Sequence, residues 1–308
     1  MNAMSGIEAL TSAGISVFER GWLSANNVLI QGNGPTSLVD SGYCSHADQT
    51  LALVEQALEG RSLDLLLNTH LHSDHCGGNA ALQNAYPKLE TRIPPGQAQA
   101  VTEWDPVALT YTPTGQECPR FVHGGLLLPG SSVQLGPLMW DIHGAKGHDP
   151  HSIILHQPAT GILISADSLW ENGFGVVFPE LEGVEAFDEV HETLDLIEAL
   201  GPKIVIPGHG PVFYAVGGAL ERARRRLAQF RDAPEKHLRH AIKVLIKFRL
   251  LDWQKVPRQQ LVEWAQKTPY LHRFIPPGEA ASDWMDRLLQ ELERSSALRL
   301  EQNWVINS

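Results

Sequence analysis

Short apolar runs separated by turn residues open the chain and predict β-strands. The runs cover residues 15–18, 28–30 and 37–39, and Gly32–Pro35 carries the Gly-Asn-Gly-Pro signature of a turn between the last two. Together they predict a hairpin with a further short strand at the start of the fold.

An amphipathic segment and a second apolar run follow. His46–Leu58 carries apolar residues at helical spacing and precedes Gly60, a pattern that predicts a helix ending there. The apolar run Leu63–Asn68 is typical of a strand that is buried on both faces. Two glycines and Asn79 then predict the start of another helix, which Pro87 ends.

The middle of the chain repeats this combination of strands and helices. Two stretches rich in turn residues, Asp105–Pro119 and Ser168–Gly183, interrupt it and predict long loops. The predicted elements are strands at 132–135, 138–143, 153–156, 161–165 and 203–206, and helices at 186–200 and 216–231.

The pattern changes near Asp232-Ala-Pro234, where it becomes mainly helical. Helices are predicted at 236–251, 257–267 and 281–293, followed by two short alternating runs that predict a hairpin. We therefore expect a first domain over residues 1–232 and a small helical, winged-helix-like domain over residues 233–308.

Composition and charge narrow the class of protein. The 308 residues carry a net charge of -11, which disfavours a nucleic-acid partner because phosphate binding needs a positive surface. No apolar run approaches the roughly 18 residues of a membrane span, and the N-terminus lacks the features of a signal peptide. The 3 cysteines do not form a disulfide framework. We expect a cytoplasmic protein that acts on a small molecule, with a homodimer as one expected state.

The stretch Thr69–Gly78, T-H-L-H-S-D-H-C-G-G, follows the buried strand and concentrates metal-ligand side chains. His70 and His72 are two residues apart, so in an extended segment they point the same way and can bind one metal. Asp74 and His75 lie just beyond, where the chain turns towards a helix, and could hold a second metal. Cys76 is either a further ligand or a small buried thiol, and we favour the thiol.

Three later residues follow predicted strands in the same manner. His148, Asp167 and His209 each come directly after a strand, on a turn-rich loop. This recurrence predicts that they meet the first cluster at one edge of the sheet. His143 and His151 flank His148 and are alternatives for its position.

The order H-x-H-x-D-H, G-H, D and P-G-H-G resembles the metallo-β-lactamase superfamily over roughly residues 14–231. The resemblance implies an α/β fold, the αβ/βα sandwich of two sheets with helices outside. It also implies two divalent metal ions, with zinc the expected metal and iron or manganese as alternatives. The implied ligands are His70, His72 and His148 for one metal, Asp74, His75 and His209 for the other, and Asp167 as the bridge.

The resemblance also implies a hydrolase that uses a metal-bridging hydroxide, with Asp74 as its catalytic carboxylate. Asp167 stands where antibiotic-hydrolysing members commonly carry cysteine, which favours a thioester, lactone or other small carboxylic ester as substrate. Three alternatives stay open: a phosphodiesterase or ribonuclease, an iron-dependent persulfide dioxygenase, and a ligand-binding regulator with weak catalysis.

Aromatic and basic residues on the predicted loops and helices have two interpretations each. Trp170, Phe174 and Phe178 on the loop after Asp167 either line a substrate pocket or pack beneath the loop, and the same holds for Trp104 and Tyr111. The basic run 222–226 either contacts a phosphate-bearing substrate or RNA or forms a solvated helix face, and we favour the solvated face. His156 alternates within a predicted strand and is interpreted as structural.

Overall fold

The computed structural model of the protein describes residues 6–308, so residues 1–5, part of the N-terminus interpreted above, lie outside it. Its strands match the predicted runs closely. They are β1 (Ile15–Phe18), β2 (Asn27–Ile30), β3 (Ser37–Val39), β4 (Leu65–Leu67), β5 (Glu90–Ile93), β6 (Gly125–Leu126), β7 (Ser132–Leu135), β8 (Leu138–Gly144), β9 (Ile153–Gln157), β10 (Ile162–Ala166), β11 (Ile204–Pro207), β12 (Lys255–Pro257), β13 (Leu298–Glu301) and β14 (Trp304–Asn307).

The helices fall largely between these strands and in the C-terminal quarter of the chain. They are α1 (Gly6–Ser12), α2 (Ala47–Leu58), α3 (Ser73–Cys76), α4 (Asn79–Ala85), α5 (Ala98–Glu103), α6 (Tyr111–Thr114), α7 (Phe178–Glu182), α8 (Phe187–Leu200), α9 (Val216–Asp232), α10 (Pro234–Trp253), α11 (Arg258–Lys267), α12 (Pro269–His272) and α13 (Ala281–Arg294).

Two sheets face each other across a shared apolar core. The first has the order β1-β2-β3-β4-β5-β6 and the second β11-β10-β9-β8-β7. Val28 and Leu67 of the first sheet pack in one cluster with Trp140 and Leu155 of the second. Burial of this inner face supplies the main hydrophobic stabilisation of the sandwich.

Helices cover the outer face of each sheet. Leu38 and Leu66 pack against α2 and α4 outside the first sheet, and Ile154 and Leu163 pack against α8 and α9 outside the second. Strands with both faces covered are continuously apolar, which is why runs such as β9 and β10 were recognisable in the sequence. The αβ/βα sandwich is therefore confirmed.

The predicted loops contain short helices that the sequence did not reveal. The stretch 105–119 includes α6 and the stretch 168–183 includes α7, so both predictions of irregular loops were partly wrong. Each helix has only one turn or slightly more, too short for an apolar period to emerge. Their packing onto the rest of the molecule determines them instead.

The C-terminal segment has its own apolar cluster, built from α10–α13 and a sheet of order β12-β14-β13. The predicted hairpin is present as β13 and β14, and the sequence missed the third strand, β12, which has only three residues. Val176 and Leu181, from the stretch 168–183, join the same cluster. Helix α9 ends at Asp232 and α10 begins at Pro234, and the winged-helix-like domain from residue 233 stays a prediction.

Within residues 6–308, no helix is both long enough and apolar enough to span a lipid bilayer.

Candidate metal centre

The carboxyl ends of the central strands meet at one edge of the sandwich. Strands β3, β4 and β5 run parallel in the first sheet, and β10 and β11 run parallel in the second. The loops that follow parallel strands lie on the same side, where functional groups of open α/β sheets collect. This places the stretch after β4 opposite the loops after β10 and β11.

The chain after β4 passes through His72 into the four-residue helix α3. Gly77 and Gly78 then lie against the segment 41–44, where a Cβ on Gly77 would be 2.5 Å from the Cys44 nitrogen and one on Gly78 would be 2.4 Å from the Ser41 oxygen. The two glycines therefore allow the metal-ligand stretch to pack closely on its neighbour, in addition to preceding α4.

Three imidazoles converge in a first cluster. Nδ1 of His72 lies 3.1 Å from Nε2 of His70 and 2.8 Å from Nε2 of His148, and the two Nε2 atoms are 3.2 Å apart. All three side chains are buried. Three ring nitrogens pointing at one position are the arrangement that a tetrahedral metal site with an open fourth position requires.

A second cluster contains two imidazoles and two carboxylates. Nε2 of His209 lies 3.1 Å from Oδ2 of Asp74, and Nε2 of His75 lies 3.4 Å from Oδ1 of Asp167. Ligand atoms of all four residues lie within 4.8 Å of one another. Nε2 of His75 is fully buried and has no hydrogen-bond partner among residues 6–308, which is costly unless a metal binds it.

Asp167 lies between the two clusters. Its Oδ1 faces His75 and is 3.9 Å from Nε2 of His209, whereas its Oδ2 is 3.4 Å from Nε2 of His148. The preceding residue, Ala166, has a left-handed φ of 47°, a strained conformation that is common at functional sites. The two oxygens of one carboxylate thus face different clusters, as a bridging ligand does.

Asp40 lies behind His75 of the second cluster and was not among the candidate residues predicted from the sequence. Its Oδ2 accepts a hydrogen bond from Nδ1 of His75 at 2.8 Å, and its Oδ1 accepts one from the backbone N–H of Thr69 at 2.9 Å. A carboxylate behind a metal-binding imidazole fixes the ring and raises its basicity. Asp40 directly follows β3, so the strand-end criterion applied to Asp167 would have found it.

The ionised side chains of the site favour the binding of a cation. Burial alone would lower the pKa of His75, but the carboxylates of Asp167, Asp40 and Asp74 outweigh it and hold that pKa well above its usual value. Burial likewise opposes ionisation of Asp167, yet His75 and His209 hold its pKa well below the ordinary range. A buried group of ionised carboxylates attracts divalent metal.

Comparison with known proteins adds to this geometry. Residues 20–209 match the family model described as the metallo-beta-lactamase superfamily. The chain belongs to this superfamily.

The curated relatives that match this chain share low sequence identity with it. A hydroxyacylglutathione hydrolase of Legionella pneumophila (strain Lens) is 30% identical over 139 residues, 45% of this chain and 44% of that protein. One from Jannaschia sp. (strain CCS1) is 28% identical over 152 residues, 49% of this chain and 50% of that protein. The chain spans about half the length of these curated relatives.

A structural relative covers nearly the whole chain. The crystal structure of a metallo-beta-lactamase family protein from Thermus thermophilus has a TM-score of 0.57 and 16% identity, and it covers 96% of this chain and 99% of that one. At this identity the likeness shows the fold alone.

His148 belongs to the first cluster, as the sequence predicted. Of its two alternatives, His143 lies in a separate group with Asp141 and His156, and His151 lies beside Gly96. Cys76 is buried, with its Sγ 3.1 Å from the Tyr111 hydroxyl, and is not part of either cluster. The interpretation of Cys76 as a small buried thiol therefore agrees with the structure.

A cavity of ≈ 360 Å³ opens onto both clusters. Trp170, Phe174 and Phe178 all line it, so the loop after Asp167 contributes to the pocket. Phe178 also contacts the ligand cluster directly, with its ring 4.6 Å from that of His72. Helix α10 supplies further apolar wall through residues such as Phe248.

The other aromatic pair has a structural role. Tyr111 is buried, and Trp104 packs edge-on against Phe121 with ring centroids 5.6 Å apart. Neither residue lines the cavity at the metal centre. Tyr111 instead lines a separate cavity of ≈ 360 Å³ beside Cys44 and Cys118. Gln116 is the residue of the stretch 105–119 that reaches the cavity wall.

The basic run 222–226 is only partly a solvated face. Arg224 pairs with Asp195 and Glu198 on the surface, as expected for a solvated helix. Arg226 instead lines the cavity, where it donates a hydrogen bond to Nε2 of His240 at 2.7 Å and packs over Phe174. Within residues 6–308 its guanidinium forms no ion pair with a carboxylate. The wall of the cavity therefore contains a positive charge that no neighbouring carboxylate neutralises.

Asp40→Asn is expected to weaken metal binding at the second cluster. The variant keeps the shape of Asp40 but loses the negative charge behind His75. We expect the affinity of that cluster to fall roughly 10–100-fold, as is usual for loss of such an outer partner. Competition with a chelator of known affinity, read by metal analysis, measures the change.

Asp64→Asn is the matched control for this prediction. Asp64 accepts a backbone hydrogen bond from Thr36, as Asp40 does from Thr69, but it precedes β4 at the opposite end of the strand. Equal metal affinity of Asp40→Asn and Asp64→Asn would contradict the role assigned to Asp40.

Proposed function

We propose that the protein is a metal-dependent hydrolase that acts on thioesters, lactones or other small carboxylic esters. The observation that carries this proposal is the pair of ligand clusters joined by Asp167 at the mouth of an apolar cavity. Such a cavity suits the acyl part of a substrate, and the clusters suit the activation of water beside it.

We assign two divalent ions to the seven residues predicted from the sequence. The donor atoms fit divalent ions, because the first cluster offers three imidazole nitrogens and the second offers imidazole nitrogens together with carboxylate oxygens. This mixture of imidazole and carboxylate favours zinc, and iron is the main competitor. The ligands are His70, His72 and His148 for one ion, Asp74, His75 and His209 for the other, and Asp167 for both.

When bound, the metals supply a water of lowered pKa and an electrophile for the substrate carbonyl. The side chains around the centre position the water and the substrate. Asp74 lines the cavity, so its carboxylate can accept the proton of the attacking water and pass it to the leaving group. Trp22 stacks on the His209 ring at 5.4 Å and limits the approach of solvent from that side.

The names of the relatives support a thioester within this range of substrates. Hydroxyacylglutathione hydrolases of several bacteria match about half of the chain at about 30% identity. Asp167 is consistent with this preference, because it stands where antibiotic-hydrolysing members of the superfamily commonly carry cysteine. A cytoplasmic location and zinc as the bound metal remain part of the proposal.

A substrate panel with metal analysis tests the proposed function. Protein loaded with zinc is offered a short acyl thioester, a lactone, a β-lactam and a phosphodiester at equal concentration, and kcat/KM is compared. We expect the thioester to be the best substrate and the metal-free protein to be inactive until zinc is restored. Oxygen consumption with a thiol persulfide would instead establish the iron-dependent dioxygenase.

One observation favours a second candidate, the phosphodiesterase. Arg226 presents to the cavity a guanidinium that pairs with no carboxylate in the described part of the chain, and a phosphodiester carries the negative charge that it would bind. The same panel separates the two, because a higher kcat/KM for the phosphodiester than for any ester would replace the first proposal.

A further inference from the structure

A third group of metal-ligand residues lies on the strand pair β8–β9. Asp141 of β8 stands directly opposite His156 of β9, and His143 follows Asp141 by two residues. Residues two apart on a strand face the same side, and so do residues directly opposite each other. All three therefore share one face of the second sheet, while the alternating residues Trp140 and Ile142 face the core between the sheets.

Their donor atoms converge. One carboxylate oxygen and one nitrogen from each imidazole lie within 4.8 Å of one another. Ligands held at about 2.1 Å from a tetrahedral metal are about 3.4 Å apart, so a small adjustment of side chains would suffice to enclose an ion.

The two imidazoles lack the partners that their burial demands. His156 is 6% exposed, and its Nε2 has no hydrogen-bond partner within residues 6–308. Nε2 of His143 is buried and unpartnered in the same way. A buried nitrogen without a partner costs desolvation free energy that a bound metal would recover.

The carboxylate is also free to bind an ion. Ser132 donates a hydrogen bond from its Oγ to Oδ1 of Asp141 at 2.8 Å, which leaves Oδ2 available. Within the described chain, Asp141 forms no ion pair with His143 or His156, although both are close. The three side chains thus leave Oδ2 and the imidazole nitrogens available to an ion. Ser132 fixes the orientation of the carboxylate through its hydrogen bond to Oδ1.

We propose that Asp141, His143 and His156 form a third metal site, separate from the hydrolytic centre, which binds one divalent transition metal. Two imidazoles and one carboxylate favour Zn²⁺, Ni²⁺ or Cu²⁺ over Mg²⁺ and Ca²⁺. The site connects two neighbouring strands, and the loop between those strands carries His148. The bound ion would stabilise the hairpin that presents this ligand to the hydrolytic centre.

Counting bound metals tests the proposal independently of activity. The full chain is equilibrated with excess Zn²⁺, freed of unbound ion by gel filtration and analysed for metal per chain. We expect His143→Ala and Asp141→Asn each to bind one Zn²⁺ fewer than the wild type. These residues are only half-buried, so both variants are expected to fold, as circular dichroism would verify.

His191→Ala is the matched control, because His191 is a half-exposed histidine on α8 whose ring pairs with Asp195 at the surface. It is expected to bind as many ions as the wild type. The test does not require the hydrolytic centre to hold two ions, because it measures the difference in bound Zn²⁺ between the wild type and each variant. Equal metal content in the wild type, His143→Ala and Asp141→Asn would overturn the proposal.

One equivalent of Cu²⁺ added to the zinc-loaded protein provides a second readout, because Cu²⁺ binds an imidazole and carboxylate site more tightly than Zn²⁺ and displaces it. Electron paramagnetic resonance should show a single copper with two nitrogen ligands in the wild type. The same signal in His143→Ala would place the copper elsewhere and would also overturn the proposal.

Discussion

His72→Ala is expected to abolish both metal retention at the first cluster and hydrolysis. Nδ1 of His72 lies within 3.1 Å of Nε2 of both His70 and His148, so its removal leaves two of three converging nitrogens. The loss in kcat/KM should exceed the roughly 10–100-fold that removal of an outer partner causes, because a direct ligand is lost. Metal analysis after purification without chelator and an ester assay measure the two effects.

His272→Ala provides the control for this variant. His272 ends the short helix α12, far along the chain from either cluster, and is exposed. It is expected to retain the wild-type metal content and activity. A wild-type protein that holds no transition metal, or a His72→Ala variant that keeps its full complement, would contradict the assignment of the centre.

Gly208→Ala is expected to reduce activity about 100-fold although it removes no functional group. A Cβ at this position would lie 2.2 Å from Oδ1 of Asp167 and 3.0 Å from Cε1 of His75. The backbone cannot retreat, because the Gly208 N–H donates to Ala166 and its carbonyl accepts from Asn26, both at 2.7 Å. The bridging carboxylate must therefore move, and a displacement of about 1 Å in a catalytic group has this cost.

Steady-state kinetics and metal content together check the effect of Gly208→Ala. Gly217→Ala is the matched control, because a Cβ on this helical glycine meets no atom within 4 Å. We expect Gly217→Ala to match the wild type in kcat/KM and to unfold at the same or a slightly higher temperature, because alanine favours a helix over glycine. If Gly208→Ala behaves as Gly217→Ala does, Asp167 is not held in the position described.

Much of the site could be predicted from the sequence because its residues obey one simple rule. Asp167 and His209 each follow an apolar strand, and the carboxyl ends of such strands meet at one edge when the strands are parallel. The local spacing of His70 and His72 adds the direction of their side chains. The same rule extends to Asp40, which was overlooked because it is an isolated aspartate without a neighbouring histidine.

Other parts of the site depend on residues that are distant in sequence and could not be predicted. In the sequence, Arg226 is one of several consecutive basic residues, and nothing distinguishes it from the others. The packing of α9 against the loop at Phe174 brings it to the cavity. The group of Asp141, His143 and His156 depends on the register between β8 and β9, which a one-residue shift would destroy.

The sequence by itself predicted the sandwich of strands and helices and seven candidate metal ligands, with His143 and His151 as alternatives to His148, because apolar periodicity and strand-end spacing are local properties of the chain. The tertiary structure decided how closely those residues converge in each cluster, which oxygen of Asp167 faces each cluster, and which side chains line the cavity. These features depend on contacts between distant segments, such as His70 with His148 at 78 residues and Asp74 with His209 at 135 residues. No local pattern encodes such contacts, because they arise only when the two sheets pack face to face.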